Sequence, residues 1–278
     1  MQRSDDTPVD QRAPRIIAIA NQKGGVGKTT TAVNLGAAFA EAGLSVLIID
    51  LDPQGNASTA LGISMEDRAR SMTEVIMGEC GLADAIRQTD VRGLCIAPAT
   101  TDLSSMGLHL AQQRGRLRVV RNAIRTEEVR LSAQADVILI DCPPSLNLLT
   151  LNALAAADSV LVPLQSEFFA LEGLSQLLLT VRELRQASNP DLRIEGIVLT
   201  MIDPRNRLAR EVEKDVRGTL GSLVCETTIP RNVRVSEAQS HGKPVLSYDR
   251  LSKATVAYQA LARELLGRLR APQEESTA

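Results

Sequence analysis

The chain has 278 residues, enough for one large domain or two small ones, and 44 % of them are hydrophobic, which permits a substantial core. Because it contains no Trp, two Tyr and three Phe, that core must be aliphatic, as in a parallel sheet covered by helices. The net charge of −2 excludes a globally basic surface, so binding to nucleic acid would need a local basic patch.

The cysteines and the apolar runs indicate the cellular setting. The four cysteines contain no C-x-x-C pair, so the sequence suggests neither a zinc site nor a disulfide framework. No run approaches 18 apolar residues, and the N-terminus lacks the apolar core of a signal peptide. We therefore expect a soluble, cytoplasmic protein. Residues 1–14 and 271–278 are polar and are predicted to be a disordered leader and a disordered acidic tail.

The first strong motif is NQKGGVGKTT at residues 21–30, between a predicted strand (16–20) and a predicted helix (31–39). This order is typical of the phosphate-binding loop of P-loop NTPases. Its glycines lack a Cβ, so backbone N–H groups can fold around a phosphate, and the helix N-terminus adds its dipole. Lys28 would neutralise the β- and γ-phosphates, and the Thr29 hydroxyl would ligate Mg²⁺. The predicted nucleotide-binding residues here are Gly24, Gly25, Val26, Gly27, Lys28, Thr29 and Thr30.

One departure from the standard motif is informative. Gln22 replaces the usual first glycine, and a second lysine, Lys23, follows it. The sequence Lys-Gly-Gly-x-Gly-Lys-Thr resembles the deviant Walker A motif of the ParA/MinD group of ATPases. In that group the extra lysine reaches the phosphates of the nucleotide held by the other subunit, so the resemblance implies that ATP closes a homodimer through Lys23. The alternative is a solvated loop lysine.

A second motif, DLDPQGN at residues 50–56, follows the predicted strand 45–49. Carboxylates at the carboxyl end of a parallel strand face the ligand crevice of an open α/β sheet. The motif resembles the segment after the second strand in ParA/Soj proteins. That resemblance implies that Asp52 positions and polarises the attacking water and that Asp50 lies near the Mg²⁺ shell. The alternative is that both are loop-capping carboxylates.

The next part of the chain carries no diagnostic motif. Within 58–93 the sequence predicts only short helices, at 72–77 and 82–86, as a small excursion from the sheet. A short strand at 94–98 and one or two helices within 102–125 follow.

The apolar run 137–140 ends in Asp141, a pattern typical of Walker B elements, in which the aspartate holds Mg²⁺ through water. The Cys-Pro-Pro-Ser sequence that follows resembles the continuation found in ParA proteins. Cys142 is predicted to be a buried neighbour and not a nucleophile, because His109 and His241 are far away in sequence.

Beyond the Walker B element, strands alternate with helices. This alternation predicts an α/β fold, with a single P-loop NTPase domain over residues 15–270 and a mostly parallel twisted sheet flanked by helices. The predicted elements are strands 159–163 and 194–201 and helices 169–185, 208–220 and 254–270.

A third stretch, TIPRNVRVSE at 228–237, also resembles the ParA family. In relatives, Pro230 and Asn232 lie against the adenine base and Met201 closes the base pocket, so the resemblance implies those roles here. Gln239 stands where a proline is frequent, which leaves the local loop shape open.

Residues 205–270 carry thirteen basic and seven acidic side chains, although the whole chain is net acidic. Arg210, Lys214 and Arg217 fall on one face of a predicted helix. The resemblance to ParA implies that Arg205 and basic residues near the C-terminal helix bind DNA. The predicted DNA-binding residues are Arg205, Arg207, Arg231, Arg234 and Lys253. The alternative is a solvated face with local ion pairs.

The resemblance to ParA/Soj ATPases covers about residues 15–270 and implies a slow, partner-stimulated ATPase that uses ATP and Mg²⁺ to segregate chromosomes or plasmids. Its ATP-bound sandwich dimer would bind double-stranded DNA of the nucleoid without sequence preference. A ParB-type centromere-binding protein would stimulate hydrolysis and release.

Three other classes share parts of this pattern. A MinD-like membrane-associated ATPase would end in a basic amphipathic helix, whereas Glu274 and Glu275 follow the last predicted helix here. An iron-protein reductase would need paired cysteines. A small-molecule kinase or ligase would share the fold, but the DPQ sequence at 52–54 and the PRN sequence at 230–232 argue against it. No membrane partner is therefore expected.

Overall fold

In the described part of the chain, an eight-stranded sheet lies between helices on both faces, which confirms the predicted fold class. The computed structural model describes residues 13–166, 170–203 and 205–270. The predicted tail and all but the last two residues of the predicted leader lie outside these ranges. None of the helices described combines the length and the apolar character that crossing a membrane requires.

The strands are β1 (Arg15–Ile19), β2 (Val46–Asp50), β3 (Arg87–Gln88), β4 (Leu94–Ala97), β5 (Val137–Asp141), β6 (Ser159–Gln165), β7 (Arg193–Ile202) and β8 (Val224–Pro230). Their order across the sheet is β3-β4-β2-β5-β1-β6-β7-β8. The edge strand β3 is antiparallel to β4, and all other described neighbours pair in parallel. The first strand of the chain therefore lies in the middle of the sheet.

The helices are α1 (Lys28–Glu41), α2 (Asn56–Ala60), α3 (Met72–Met77), α4 (Leu82–Ala85), α5 (Met106–Gln112), α6 (Val119–Ile124), α7 (Glu127–Ala133), α8 (Leu148–Ala156), α9 (Ala170–Ala187), α10 (Arg207–Leu220), α11 (Val233–Ser240), α12 (Val245–Tyr248) and α13 (Lys253–Arg270). Short 3₁₀ turns occur at Glu66–Arg68, Thr101–Ser105 and Gly221–Leu223.

The central strands are buried along their length because helices cover both faces of the sheet. Every residue of β2 and β5 is buried, as expected for continuous apolar runs in a parallel sheet. Alternate side chains of β1 enter different core clusters. Ile17 and Ile19 pack with α1 and α13, whereas Ile16 and Ala18 pack in the cluster on the other face.

The predicted strands and helices are present with ends within three residues of the predicted ones. One prediction is wrong in part: the segment 58–93 is not wholly an excursion, because β3 rejoins the sheet beside β4. The strand β8 and the helices α2, α7, α8, α11 and α12 were not predicted.

The carboxyl ends of the parallel strands meet at one edge of the sheet. The loops that follow β1, β2 and β5, and the ends of β7 and β8, all lie at this edge. Open α/β sheets bind their ligands there.

Candidate functional site

The loop between β1 and α1 has a backbone that favours glycine. Gly25 and Gly27 have φ angles of 75° and 87°, in the left-handed region that a Cβ disfavours. The carbonyl of Gly27 accepts the N–H of Thr31 at 2.8 Å and so begins α1. Asn21 secures the start of the loop, because its Nδ2 donates to the carbonyl of Pro163 at 2.8 Å. The loop is thus fixed by its own glycines and by a bond to β6.

Lys28 is the first residue of α1, and it is buried within the loop, with 6 % exposure. Its Nζ donates to the carbonyl oxygen of Lys23 at 3.0 Å. Burial lowers the pKa of Lys28, while Asp141, Cys142 and Asp52 oppose that shift. A buried ammonium beside loop N–H groups is suited to binding nucleotide phosphates.

Asp141 ends β5 and pairs with Asp50 of β2 in the register of the sheet. It is fully buried, its carboxylate oxygens make no hydrogen bond of standard geometry, and the Thr29 hydroxyl is the side-chain donor that favours its charged form. Burial, followed by the charge of Asp50, raises the pKa of Asp141 well above its ordinary value, while Thr29 and Lys28 oppose the rise. Since buried polar atoms are almost always bonded, this carboxylate fits a site that a cation completes.

Mg²⁺ is the cation that best fits these donors. Carboxylate and hydroxyl oxygens are hard ligands, and Mg²⁺ commonly takes one or two from the protein and the rest from water and phosphate. The described ranges contain no group of three or more His, Cys, Asp or Glu side chains that could hold a metal by themselves. Asp141 and Thr29 therefore remain the predicted protein ligands, with phosphate and water as the others.

Asp50 is engaged by protein donors instead. Its Oδ2 accepts the N–H and the hydroxyl of Ser58 at 3.0 and 2.7 Å, and its Oδ1 accepts the N–H of Asp52 at 3.2 Å. Burial raises the pKa of Asp50 to about 6, and these bonds limit the rise. These bonds are those of a loop-capping carboxylate, while the register of β2 and β5 places Asp50 beside Asp141, so its predicted position near the magnesium shell stays a prediction.

Asp52 begins a tight turn after β2 and is 7 % exposed. Its Oδ1 accepts the N–H of Gln54 at 3.0 Å, and its carbonyl accepts the N–H of Gly55 at 2.8 Å. Asp52 lines the same cavity as the glycine-rich loop. A carboxylate in that place could orient a water molecule toward a phosphate.

A cavity of about 710 Å³ brings the three motifs together. Its size lies within the range of small-molecule sites. The predicted residues that line it are Gly24, Gly25, Gly27, Lys28, Thr29, Thr30, Asp52, Met201, Pro230, Arg231 and Asn232. Val26 is buried outside this lining, with its carbonyl accepting the Thr200 hydroxyl at 2.8 Å. Lys23 is not among the described residues of the cavity wall.

The residues predicted to contact the base line the same cavity, next to the phosphate loop. Met201, near the end of β7, has a φ of 55°, which is uncommon for a residue with a side chain and frequent at functional sites. Pro230 ends β8. Asn232 caps α11 by accepting the N–H of Arg234 at 2.9 Å. The structure thus places these residues beside the phosphate loop.

Several residues of the cavity were missed from the sequence. They include Gln54, Asn56, Thr59, Pro144, Thr200, Val235, Ser236, Gln239 and Tyr258. Gln239 has the clearest contact, since its Nε2 donates to the Thr30 hydroxyl at 3.0 Å and ties α11 to α1. The presence of glutamine at a position where relatives frequently have proline could have indicated that residue 239 makes a specific contact. Tyr258 lies in α13, far from any motif, and nothing in the sequence marked it.

No cysteine lines the described wall of this cavity. All four are free thiols, and Cys95, Cys142 and Cys225 are buried. Cys142 is fully buried, as predicted, and burial raises the pKa of its thiol.

Two of the predicted DNA-binding arginines near α10 lie in ion pairs. Arg205 donates to both carboxylate oxygens of Asp203, at 3.0 and 2.9 Å, and this pairing lowers the pKa of Asp203 to about 2. Arg207 pairs with Glu211 at 3.2 Å. The local ion pairs that the alternative interpretation of this region anticipates are therefore present.

The other three predicted DNA-binding residues have different surroundings. Arg234 pairs with Glu237 at 2.7 Å and lies 3.4 Å from Asp249. Arg231 lines the cavity, and Lys253 is exposed at the start of α13. The available cationic surface is thus smaller than the number of basic residues suggests.

Comparison with known proteins identifies relatives along nearly the whole chain. The family model described as an AAA domain matches residues 14–194. The chromosome partitioning protein ParA of Caulobacter vibrioides (strain NA1000 / CB15N) is 53 % identical over 262 residues, or 94 % of this chain and 97 % of that one. The sporulation initiation inhibitor protein Soj of Bacillus subtilis (strain 168) is 47 % identical over 251 residues, or 90 % of this chain and 98 % of that one.

A solved structure extends the comparison to the fold. Cobyrinic acid a,c-diamide synthase from Mycobacterium smegmatis, with bound ATP analogue and magnesium, is 37 % identical and superposes with a TM-score of 0.80. That similarity covers 94 % of this chain and 98 % of the other. The extent and level of identity to ParA and Soj decide the assignment. The chain belongs to the ParA/Soj family of chromosome partitioning ATPases.

Proposed function

We propose that this protein binds ATP with Mg²⁺, closes into a sandwich homodimer, and in that state binds double-stranded DNA of the nucleoid without sequence preference. A ParB-type protein stimulates the slow hydrolysis that releases it. The observation that carries the proposal is the cavity in which the phosphate loop, Asp52 and the wall around Met201 and Asn232 meet. The relatives named ParA and Soj support a role in chromosome partitioning.

The phosphate end of the cavity supports ATP as the substrate. Lys28 contributes a buried positive charge, and the loop and the start of α1 contribute N–H groups. Mg²⁺, held by Asp141 and Thr29, would neutralise phosphate charge. The fully buried carboxylate of Asp141, beside the Thr29 hydroxyl, is the feature of this chain that favours a bound cation. The M. smegmatis structure, which contains an ATP analogue and magnesium, supports the same ligands.

Two residues near the phosphates take different roles in this proposal. Asp52 lines the cavity and orients the water that attacks the γ-phosphate. Lys23 lies outside the described cavity wall of its own subunit, although its carbonyl holds Lys28. That position supports the role that the family resemblance gives to Lys23, which is contact with the nucleotide of the second subunit.

A second candidate function is amide synthesis, because one solved structure similar to this chain is named as a synthase. The M. smegmatis protein is named as an amide synthase at 37 % identity, and such an enzyme would also use ATP and magnesium. The higher identity to ParA and Soj, at 53 % and 47 %, favours partitioning. A MinD-like membrane ATPase remains the other alternative.

Co-sedimentation with double-stranded DNA tests the proposal. The protein is mixed with DNA in ATP, in ADP and without nucleotide, beside a control with anionic liposomes. We expect it to pellet with DNA only in ATP, to the same extent for unrelated DNA sequences, and not with liposomes. Pelleting with liposomes alone would support the MinD-like alternative. Absence of DNA binding together with ATP-dependent amidation of cobyrinic acid would support the synthase.

A further inference from the structure

Arg68 is a buried arginine with no carboxylate at salt-bridge distance among the described residues. It lies between α2 and α3 and is 5 % exposed. Buried arginines are usually paired with acids. Here the guanidinium donates to main-chain carbonyls and to one hydroxyl. Its Nη1 donates to the carbonyls of Gly55 and Ala99, at 3.3 Å each. Its Nε and Nη2 donate to the carbonyl of Ile63 at 3.3 and 2.8 Å, and Nη2 also donates to the hydroxyl of Thr59 at 2.9 Å.

The acceptors of Arg68 belong to the segment that holds Asp52. Gly55 closes the Asp52 turn by donating its N–H to the Asp52 carbonyl at 2.8 Å. The Gly55 carbonyl also accepts the N–H and the hydroxyl of Thr59, each at 3.0 Å, as α2 begins. Ala99 follows β4 and is fully buried. Arg68 therefore joins the end of the Asp52 turn and the first turn of α2 to the rigid end of a strand.

The guanidinium fits closely against this turn. A Cβ added at Gly55 would lie 2.6 Å from Nη1 of Arg68 and 3.1 Å from the carbonyl oxygen of Ala99. The φ of Gly55 is 60°, which also favours glycine. Position 55 therefore requires glycine for two reasons. The φ angle of the turn favours it, and a Cβ there would collide with the guanidinium of Arg68.

We propose that Arg68 is a positioning residue for ATP hydrolysis. It fixes the turn that carries Asp52, so that the carboxylate can hold the attacking water, and it does not contact the nucleotide. This inference rests on the role of Asp52 in the proposed function. Arg68 is absent from the described lining of the cavity, and its guanidinium donates to main-chain carbonyls and to the Thr59 hydroxyl.

The shape of the guanidinium explains why an arginine suits this position. Its planar fork presents five N–H donors in fixed directions, whereas a lysine ammonium is a single point that cannot reach separate carbonyls at once. Small displacements of a catalytic group are costly, with about 1 Å reducing rates by about 100-fold. Loss of the clamp should therefore reduce turnover more than nucleotide binding.

The test compares Arg68→Ala and Arg68→Lys with the wild type and with Arg87→Ala. Arg87 is a matched control, because it also donates to main-chain carbonyls, those of Asp67, Asp84 and Ile86, but does not touch the Asp52 turn. Three quantities are measured for each protein: the Kd for ATP, single-turnover hydrolysis well below the Tm, and the Tm itself. The hydrolysis assay of Arg68→Ala is repeated with millimolar guanidinium, which can occupy the vacated site.

We expect hydrolysis by Arg68→Ala and Arg68→Lys to fall about 10- to 100-fold, with the Kd for ATP within about twofold of wild type. Guanidinium should restore part of the rate of Arg68→Ala and leave Arg87→Ala unchanged. Normal hydrolysis by folded Arg68→Lys would overturn the inference, as would a lowered Tm with no loss of rate. An Asp52→Ala protein, assayed in parallel, separates the two claims: if it hydrolyses ATP normally, the proposed role of Asp52 fails first.

Discussion

At the scale of single residues, the site is organised around two buried charges. Lys28 is buried within the phosphate loop, and Asp141 is fully buried beside the Thr29 hydroxyl. Burial disfavours the charged form of both groups, so a ligand of opposite charge would stabilise the charged form of each. A phosphate chain carrying a divalent cation satisfies both at once. Nucleotide binding should therefore also stabilise the folded protein.

The two lysines of the loop should behave differently when removed. Lys28→Ala loses the buried phosphate counter-charge, and we expect the Kd for ATP to rise by about 100-fold or more. Lys23→Ala should still bind ATP, because Lys23 lies outside the cavity lining, but should remain a monomer in ATP. Isothermal titration and sedimentation velocity measure these two properties. Dimerisation of Lys23→Ala in ATP would contradict the assignment of Lys23.

Asp52→Ala separates binding from chemistry. This variant keeps Lys28, Thr29 and Asp141, so we expect normal ATP affinity and an ATP-dependent dimer. Hydrolysis should fall by about 100- to 1,000-fold, because the water loses the carboxylate that orients it. A phosphate-release assay measures the rate, and Asp102→Ala, an exposed acid outside the cavity, serves as the control. Unchanged turnover would refute the role of Asp52.

Most residues predicted to contact phosphate line the cavity, and they could be named from the sequence because local chemistry dictates them. A tight phosphate loop requires glycines, one cation and one hydroxyl at fixed spacing, so Gly27, Lys28 and Thr29 were identifiable from sequence alone. The hydrogen bonds between Asp50 and Ser58 could not be predicted, because the tertiary structure brings these two residues together. The role of Arg68 could not be predicted for the same reason. Its acceptors include the main-chain carbonyls of Gly55 and Ala99, and no pattern of side chains in the sequence indicates them.

At the scale of elements, one carboxylate fastens α13 to the edge strand β8. Glu264 accepts the N–H groups of Glu226 and Thr227 at 2.8 and 2.9 Å, and Arg268 donates to it at 2.9 Å. Burial by itself would raise the pKa of Glu264, but these donors hold it below its ordinary value. The ionised form of Glu264 is therefore the one that stabilises the contact between helix and strand.

Glu264→Gln should weaken this contact. The amide has one acceptor oxygen, so one strand N–H loses its partner, and we expect unfolding to become easier by about 1–3 kcal/mol at pH 7. Because the folded pKa is lowered, the contribution of Glu264 is present above its unfolded pKa and lost as the pH falls through the folded one. The difference from wild type should thus shrink below about pH 4.

Urea unfolding of wild type and Glu264→Gln, at pH 7 and below about pH 4, measures the difference in the free energy of unfolding. Glu211→Gln is the matched control, because Glu211 forms an exposed pair with Arg207 that should contribute less than about 1 kcal/mol. A destabilisation by Glu264→Gln that stayed constant from pH 7 to below pH 4 would argue against the ionised contact.

The elements that sequence patterns missed share a physical cause. The helix α8 is buried on almost all sides, so it has no polar face to reveal a helical period. The strand β8 contains Glu226, Thr227 and Thr228, because an edge strand meets solvent and does not need a continuous apolar run. Buried central strands such as β2 and β5 were predictable for the opposite reason.

At the scale of the whole molecule, the distribution of charge decides how DNA could be bound. The chain is net acidic, and Arg205 and Arg234 are engaged by neighbouring carboxylates. Exposed ion pairs of this kind are weak in water, so a phosphate can compete for the arginine. A dimer would double each basic patch, which explains why DNA binding should depend on ATP.

Arg205→Glu and Arg234→Glu should each lose DNA binding and keep ATP-dependent dimerisation. Asp203→Asn should have the opposite effect, because it releases Arg205 from its bidentate pair. Fluorescence anisotropy against salt concentration measures both, and the log–log slope should become shallower by about 0.9 for each phosphate that the variant no longer neutralises. Arg92→Glu, an exposed charge reversal before β4, is the control. Wild-type affinity in Arg205→Glu would remove that residue from the proposed surface.

The central position of β1 has a consequence for synthesis of the protein. Ile17 of β1 pairs with Leu139 of β5 on one side and with Ser159 of β6 on the other. The carbonyl of Val26 accepts a hydrogen bond from the hydroxyl of Thr200, a residue that is synthesised much later. Ribosomes add roughly 5–20 residues per second, so the first motif to emerge has no neighbouring strands for several seconds. We expect a truncated product that ends before β5 to contain the whole glycine-rich loop but to bind ATP poorly, because β1 would lack both of its neighbouring strands.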